Sequence, residues 1–196
     1  MPIYNNKYIF LHIPRTGGSL IEQNLREIYS ETYSGPDKMG ISKQHYTLDK
    51  LLYNNNINEN NKFIFTFVRN PFDKIVSSYL NYTKNNTPDF DKYIDMVKYV
   101  VENKLYLYKS DINSNDITHY APITVMIGNN ELDFIGKFEN YESDIKKLSE
   151  LSGLKSLSKI IIKKNQVDYR KFYNERNKNI INELYKDDLV KFNYTF

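Results

Sequence analysis

The segment from Pro14 to Ser19 holds residue types that bind a small anion. It reads Pro-Arg-Thr-Gly-Gly-Ser and follows an apolar run. Adjacent glycines let a backbone approach an anion closely, and the first turn of a helix offers unpaired N–H groups with a partial positive charge. Arg15 adds a cation, and Thr16 and Ser19 add hydroxyl donors. The segment therefore predicts a cradle for a phosphate or sulfate group.

A second anion site is predicted around Arg69, which follows the next apolar run. Ser77 comes about two helical turns later, inside a helix that is expected to start near Pro71. The two side chains can share an anion only if the loop folds Arg69 back along that helix. Lysine far outnumbers arginine in this chain, so a position that keeps arginine indicates a need for its planar, bidentate fork.

These motifs are not those of an ordinary ATPase or GTPase. The usual phosphate-loop string, Gly, four residues and then Gly-Lys-Ser or Gly-Lys-Thr, is absent from the sequence. The second apolar run is not followed by a carboxylate that could hold Mg²⁺, because Val68 leads directly into Arg69. We therefore expect a cationic site without a metal ion.

Each anion-binding segment is expected to follow a buried strand. The runs at residues 8–13 and 63–68 are apolar throughout, which is typical of strands that are buried on both faces. Apolar residues at helical spacing follow both runs, and those after the first run are Leu20, Ile21, Leu25 and Ile28, with Asn24 among them. The repeated order of strand, loop and helix predicts an α/β fold whose central, mainly parallel sheet is flanked by helices in three layers. Ligands of such sheets bind beyond the carboxyl ends of the strands.

The rest of the chain adds helices and one more strand. The predicted elements are a helix begun by Thr47, a helix over residues 90–107, a strand over residues 132–138, a helix capped by Asn140 and a final helix over residues 175–190. No internal repeat or clear linker interrupts this order. Since 196 residues suit one domain, residues 1–196 are expected to form a single domain.

The composition excludes several classes of protein. The chain has no cysteine, which removes disulfides, thiolate zinc sites, iron–sulfur clusters and a cysteine nucleophile. Its 27 Lys+Arg against 24 Asp+Glu give a net charge of +3, too small and too interspersed for nucleic-acid binding. Its apolar runs are far shorter than the roughly 20 residues that span a bilayer, and no secretion signal is visible. We therefore expect a soluble protein without a membrane anchor.

Four strings, taken together, resemble the sulfotransferases, and specifically their carbohydrate branch of heparan sulfate 2-O-sulfotransferase-like and bacterial Sulfotransfer_2 proteins. Residues 12–19 (HIPRTGGS) are similar to the 5′-phosphosulfate loop of that family, and residues 65–79 (FTFVRNPFDKIVSSY) to its 3′-phosphate segment. Residues 133–140 (DFIGKFEN) and the tail from Tyr169 to Phe196 agree in order. The resemblance thus spans nearly the whole chain.

The resemblance implies transfer of a sulfuryl group from 3′-phosphoadenosine 5′-phosphosulfate (PAPS) to an acceptor hydroxyl. A carbohydrate is the expected acceptor, and adenosine 3′,5′-bisphosphate (PAP) is the nucleotide product. The residues implied to hold the 5′-phosphosulfate are Arg15, Thr16, Gly17, Gly18, Ser19 and Leu20. Arg69 and Ser77 are implied to hold the 3′-phosphate, and no metal is expected. The implied fold is that of the P-loop NTPase-like α/β proteins.

One position departs from the family pattern, because the family usually has lysine where this chain has Arg15. Both side chains can neutralise charge that grows on the bridging oxygen of the leaving group, but arginine cannot give up a proton. Arg15 is therefore expected to act by electrostatic stabilisation.

A base must take the proton of the acceptor, and the sequence offers several candidates. His45 lies between the two binding segments and matches a Lys-His position of the family's bacterial members, so it is the expected base. His12 ends a buried strand, where a packed, hydrogen-bonded ring is the more common role. His119 and Glu139 remain alternatives.

Two further features are open to two interpretations. Arg170 could reach a phosphate while Tyr169 packs on adenine, or both could belong to a solvated basic loop. Three tyrosines could line a sugar-binding groove or pack in the core, namely Tyr99, Tyr106 and Tyr108.

Two other functions remain alternatives to a sulfotransferase. One is a nucleotide or small-molecule phosphotransferase on the same fold, and the other is a non-catalytic nucleotide- or glycan-binding module. Golgi members of the resembled family are anchored in the membrane and commonly disulfide-bonded, whereas this chain has neither feature, so a cytoplasmic enzyme is expected.

Overall fold

The structure of the protein is a computed structural model that describes residues 3–29, 45–54, 61–82, 89–107, 117–160 and 167–196. The sequence-based expectation for Tyr108 lies outside these residues. Within them, none of the helices has the length and apolar character needed to cross a bilayer.

A four-stranded sheet is surrounded by helices. The strands are β1 (Ile3–Tyr4), β2 (Tyr8–Leu11), β3 (Phe63–Val68) and β4 (Phe134–Lys137). The α-helices are α1 (Gly18–Tyr29), α2 (Leu48–Asn54), α3 (Pro71–Tyr82), α4 (Phe90–Glu102), α5 (Ile123–Ile127), α6 (Tyr141–Ser152), α7 (Glu175–Leu184) and α8 (Lys186–Lys191). Short 3₁₀ helices cover Leu105–Leu107, Ile117–Tyr120, Phe138–Asn140, Lys155–Lys159 and Tyr169–Phe172.

The sheet is mainly parallel, as predicted. Its order is β1-β2-β3-β4, and β2 pairs with β3, and β3 with β4, in parallel. The sequence did not predict β1, which pairs with β2 in antiparallel orientation across a turn with Asn5 and Asn6 at positive φ. Asparagine tolerates this left-handed conformation better than most residues, which allows so tight a turn.

Helices cover both faces of the sheet, which confirms the three-layer α/β prediction. Along β2, Ile9 and Leu11 point into a cluster with α2, α3, α4, α5 and α7. Tyr8 and Phe10 alternate with them and point into a second cluster with α1 and α6. Because successive side chains of a strand point to opposite faces, a strand buried on both faces must be apolar throughout.

Local signals explain where the helices that flank the site begin. Pro71 is the first residue of α3, where its fixed φ suits a helix and its missing N–H is not needed. Asn70 Oδ1 accepts a hydrogen bond from the backbone N–H of Phe72 at 3.1 Å. Thr47 Oγ1 accepts one from Lys50 N at 3.3 Å, so Thr47 begins α2 as predicted.

Two predicted element boundaries were wrong, and one predicted helix cap lacks its side-chain hydrogen bond. The helix expected over residues 90–107 ends at Glu102, and a separate 3₁₀ turn follows. Asn140 precedes α6, but its side chain makes no capping hydrogen bond. The final helix is two helices divided at Tyr185, whose buried ring packs in the core and whose hydroxyl donates to Tyr120 O at 2.7 Å.

Candidate active site

The two predicted anion-binding segments meet at one edge of the sheet. Parallel pairing of β2 with β3 places both loops at the carboxyl ends of adjacent strands. Two cavities lie there, and Arg15, Arg69 and Ser77 line both of them. The sequence predicted these residues in two separate sites, and the structure places them together at the wall shared by two cavities.

The two cavities differ in their remaining walls. The first, here called the cradle cavity, has a volume of about 230 Å³ and is also lined by His12, Gly17, Gly18, Ser19 and Phe138. The second, the helix cavity, has a volume of about 200 Å³ and is also lined by Asp73, Val76, Leu80, Asn81 and Val167. The cradle cavity therefore adds loop and helix-start groups to the shared arginines, whereas the helix cavity adds apolar side chains of α3.

Arg15 connects the glycine loop to α3. Its Nε and Nη2 atoms donate to Ser77 Oγ at 3.2 and 3.0 Å, and Nη2 also donates to Ser77 O at 3.0 Å. The backbone of Arg15 has a φ of 66°, a left-handed conformation that is uncommon for a residue with a Cβ. Such strain persists only where surrounding contacts hold it, and it occurs often at ligand sites.

Arg69 folds back along α3. Only in this orientation can Arg69 and Ser77 bind the same anion, as the sequence analysis requires. Its Nε donates to Asp73 Oδ2 at 2.8 Å, and its Nη1 donates to Arg15 O at 2.9 Å. The guanidinium also lies over the ring of Phe138, 4.1 Å from the centroid. Arg69 is thus held in place by three contacts before any ligand binds.

The charge of the site favours an anion. Burial lowers the pKa of Arg15, and the positive charge of Arg69 lowers that pKa further. Asp73 offsets the charge of one of the two guanidinium groups. A bound anion would relieve the repulsion between the two arginines, so their proximity indicates a site for a negatively charged group.

The remaining loop residues have different positions. Gly18 and Ser19 begin α1 and line the cradle cavity, as does Gly17, whose φ is 84°. The Thr16 side chain is buried and donates to Ile13 O at 2.7 Å, so its hydroxyl holds the loop together. Leu20 is 40% exposed and is absent from the described lining of both cavities. The binding roles of Thr16 and Leu20 stay predictions.

All three histidines of the chain lie beside one another. The ring centroids of His12 and His45 are 5.5 Å apart, and those of His45 and His119 are 5.1 Å apart. His45 Nδ1 is 3.2 Å from Thr118 Oγ1. His12 lines the cradle cavity, so the cluster begins at the wall of the site.

A buried glutamate that sequence reasoning missed supports this cluster. Glu22 Oε2 lies 3.0 Å from His12 Nδ1, and Arg26 lies 3.3 Å from Oε1 of the same carboxylate. The expected apolar face of α1 was partly wrong, because Leu20 and Ile28 are exposed while Glu22 is buried beside Ile21 and Leu25. The sequence does contain a signal for this residue: Glu22 lies on the same helix face as the apolar residues Ile21 and Leu25, where a carboxylate is unusual.

The sequence comparisons identify the family. The model of the Sulfotransferase family, Sulfotransfer_2, matches residues 4–195. The chain belongs to the sulfotransferase family. Membership makes it a transferase and assigns it sulfuryl transfer as a general reaction. An uncharacterized protein of Archaeoglobus fulgidus is 34% identical over 95 residues, which cover 46% of this chain and 68% of that protein. No solved structure matches the chain.

Arg170 and Glu139, two further residues that the sequence analysis named, are absent from the described lining of both cavities. Arg170 is exposed, pairs with Asp168 at 3.7 Å and lies over the ring of Tyr169, away from the described lining of both cavities. Glu139 accepts hydrogen bonds from Asn70 N at 2.7 Å and from the Tyr194 hydroxyl at 2.8 Å. Both oxygens of Glu139 therefore hold the start of α3 and the C-terminal segment.

The other candidates for ligand contact are also placed by the structure. Tyr99 is exposed on α4, whereas Tyr106 is buried in the core. Among the residues described, no group of three or more His, Asp or Glu side chains is arranged to hold a metal ion.

Proposed function

We propose that this sulfotransferase moves a sulfuryl group from PAPS to an acceptor hydroxyl, and that the acceptor is a carbohydrate. The observation that carries the proposal is the meeting of Arg15, Arg69 and Ser77 in two adjoining cavities. PAPS has a phosphosulfate at one end of its ribose and a phosphate on the 3′ oxygen. Two neighbouring anion sites with shared arginines suit a donor with two anionic groups.

The residues present fit such a donor. Gly18 lets the start of α1 pack directly against the His12 ring, because a Cβ at this position would lie 2.5 Å from His12 Cδ2. The first turn of α1 supplies backbone N–H groups, and Ser19 supplies a hydroxyl. Val76, Leu80 and Val167 give the helix cavity an apolar wall beside its charged groups.

Each side chain has a proposed role. Arg69 and Ser77 bind the 3′-phosphate, with Arg69 already oriented by Asp73 and Phe138. When bound, PAPS supplies the sulfuryl group, and the atom that leaves the sulfur is an oxygen of the 5′-phosphate. Arg15, which lines both cavities, neutralises charge that develops on that oxygen, and it does so without giving up a proton.

His45 is the proposed base that takes the proton of the acceptor hydroxyl. A neutral imidazole accepts a proton near physiological pH, as general-base catalysis requires. His45 lies one ring beyond His12 from the cradle cavity, which places it beside the proposed donor site.

Calorimetry with PAP and with ATP, both in the presence of a chelator, tests the donor. We expect PAP to bind at least tenfold more tightly than ATP, since ATP lacks the 3′-phosphate for which Arg69 and Ser77 are positioned. Equal affinity for the two nucleotides would contradict PAPS as the donor and favour a phosphotransferase. Transfer of labelled sulfate from PAPS should then be screened across glycans, lipids and small phenols, where labelling of phenols alone would overturn the carbohydrate acceptor.

A further inference from the structure

The contact between His12 and Glu22 fixes which nitrogen of the His12 ring carries the proton. A carboxylate oxygen accepts hydrogen bonds, so Nδ1 of His12 donates to Glu22 Oε2 across 3.0 Å. Both side chains are almost fully buried, with 4% of His12 and 2% of Glu22 exposed. Water therefore competes little with this hydrogen bond, and in the neutral ring Nε2 is left as an acceptor.

The other edge of the His12 ring faces the cradle. A Cβ at Gly18 would lie 2.5 Å from His12 Cδ2 and 2.8 Å from His12 Nε2, so the ring edge occupies the space that a larger residue would need. Phe10 stacks on the same ring, with centroids 5.7 Å apart. Glu22, Phe10 and Gly18 together leave the His12 ring one orientation.

The surroundings of His12, above all its burial, favour a neutral ring. Burial lowers the pKa of His12, the Glu22 carboxylate opposes this effect, and His45 and Arg26 lower the pKa further. The His45 ring lies in edge-to-face contact with the His12 ring, so a proton on His45 disfavours one on His12.

We propose that Glu22 and His12 are positioning residues for proton transfer at His45. The Glu22 carboxylate fixes the His12 ring, the edge-to-face contact fixes the His45 ring, and the negative charge of Glu22 stabilises the imidazolium that His45 becomes. The inference rests on the proposed function and extends it to two residues behind the base. A buried carboxylate plays a comparable part in the serine-protease triad, where it orients the catalytic histidine.

The proton transfer balances within the proposed reaction. The acceptor oxygen forms a bond to sulfur while the bond between sulfur and the phosphate oxygen breaks, and that electron pair leaves with PAP. The acceptor proton moves to His45 and is later released to water. Glu22 and His12 exchange no proton with the acceptor, so their contribution is to orientation and charge.

Nitrogen-15 NMR of histidine-labelled protein tests the inference without requiring activity. The chain has three histidines, so three imidazole spin systems report on the cluster. We expect His12 to be protonated on Nδ1 and unprotonated on Nε2 near neutral pH. A His12 ring protonated on Nε2 would overturn the inference even if no variant folds.

The variant Glu22→Gln removes the charge and keeps the side-chain shape. Its expected effect is a change in the ring resonances of both His12 and His45, because the carboxylate that fixes the His12 ring is lost and His45 contacts that ring. The turnover number kcat should fall about 10- to 100-fold with PAP affinity unchanged within twofold.

Glu27→Gln is the matched control, because Glu27 is an exposed carboxylate on the same helix that accepts from Gln23 Nε2 at 3.0 Å. If Glu22→Gln and Glu27→Gln give the same His45 ring resonances and the same kcat, the inference fails while the proposed function stands. If the parent protein transfers no sulfate from PAPS, the proposed function fails, and the NMR data alone decide whether Glu22 and His12 control His45.

Discussion

Arg15 makes three contacts with Ser77, using two nitrogens of one guanidinium group. A lysine at this position would offer one compact ammonium group, which cannot reach the hydroxyl and the carbonyl of Ser77 with the same planar geometry. Arg15 therefore ties the glycine loop to α3 in a way that a lysine would not. The guanidinium remains at the wall of both cavities, where it can meet an anion.

Arg69→Ala and His45→Ala should separate binding from turnover. Arg69→Ala removes a charge-assisted contact that is present before and during transfer, so PAP affinity is expected to fall about 10- to 100-fold. His45→Ala should lower kcat by about 10²- to 10⁴-fold and leave PAP affinity nearly unchanged. Calorimetry measures the first effect, and initial rates at saturating PAPS measure the second.

Arg176→Ala is the control for loss of an arginine, since Arg176 pairs with Asp95 at the surface. It should change neither PAP affinity nor kcat. Full turnover in His45→Ala would show that His45 is not the base, and His119 would then be the next residue to replace.

The element that connects the anion sites to the histidine cluster is α3. Lys74 on this helix is fully buried, and its Nζ donates to His119 O at 2.9 Å and to Ala121 O at 3.0 Å. Asp188 of α8 accepts from Ile123 N, Thr124 N and Thr124 Oγ1, at 2.7 to 2.8 Å, and so caps α5. Through its two hydrogen bonds to His119 O and Ala121 O, Lys74 holds the segment that carries His119 against α3, the helix that carries Ser77.

Lys74→Met should alter how stability depends on pH. Burial lowers the pKa of Lys74 to about 8, so above about pH 8 the folded state holds fewer protons at this residue than the unfolded state. The contribution of Lys74 to the free energy of unfolding therefore grows as pH rises from about 8 to 9.5, by up to about 1.4 kcal/mol per pH unit, and is lost as pH falls through 8.

Urea unfolding of the parent and of Lys74→Met across this pH range measures the difference. Lys98→Met, which removes a half-exposed lysine from α4, controls for loss of a surface charge. A difference between parent and Lys74→Met that stays flat over the range would contradict the pKa shift of Lys74.

At the scale of the whole molecule, the two apolar clusters lie on opposite faces of one sheet. Ile94 lies in the cluster with α2, α3, α4, α5 and α7, and Leu148 lies in the cluster with α1 and α6. Since β2 and β3 contribute side chains to both, loss of either cluster should unfold the sheet. We therefore expect the chain to behave as one cooperative unit, which is the single domain that the sequence predicts.

Ile94→Ala and Leu148→Ala test that cooperativity. Each removes a fully buried side chain, so each should lower the free energy of unfolding by about 2 to 5 kcal/mol with one thermal transition. Val190→Ala, at a position that is 74% exposed, should change it by less than about 0.5 kcal/mol. Calorimetric scans with two separate transitions would show that the clusters unfold independently.

Much of the fold and part of the site could be predicted because their signals are local in the chain. The apolar run of β3, the start of α3 at Pro71 and the glycine pair before α1 each depend on neighbouring residues. The break at Tyr185 has no such local signal, and the residue itself is held by a hydrogen bond from its hydroxyl to Tyr120 in a distant segment. The partner of Glu22 could not be predicted either, because His12 lies beyond the end of β2 and outside the helix that carries Glu22.

The sequence by itself determined that two arginines follow two strands and that a glycine loop opens a helix after the first of them. These are short-range patterns, and the parallel sheet that they predict places both loops at one edge. Only the tertiary structure decided that Arg15 contacts Ser77, and that His12, His45 and His119 form one cluster. Contacts between residues so far apart in the chain follow from how the helices pack on the sheet, which no local spacing specifies.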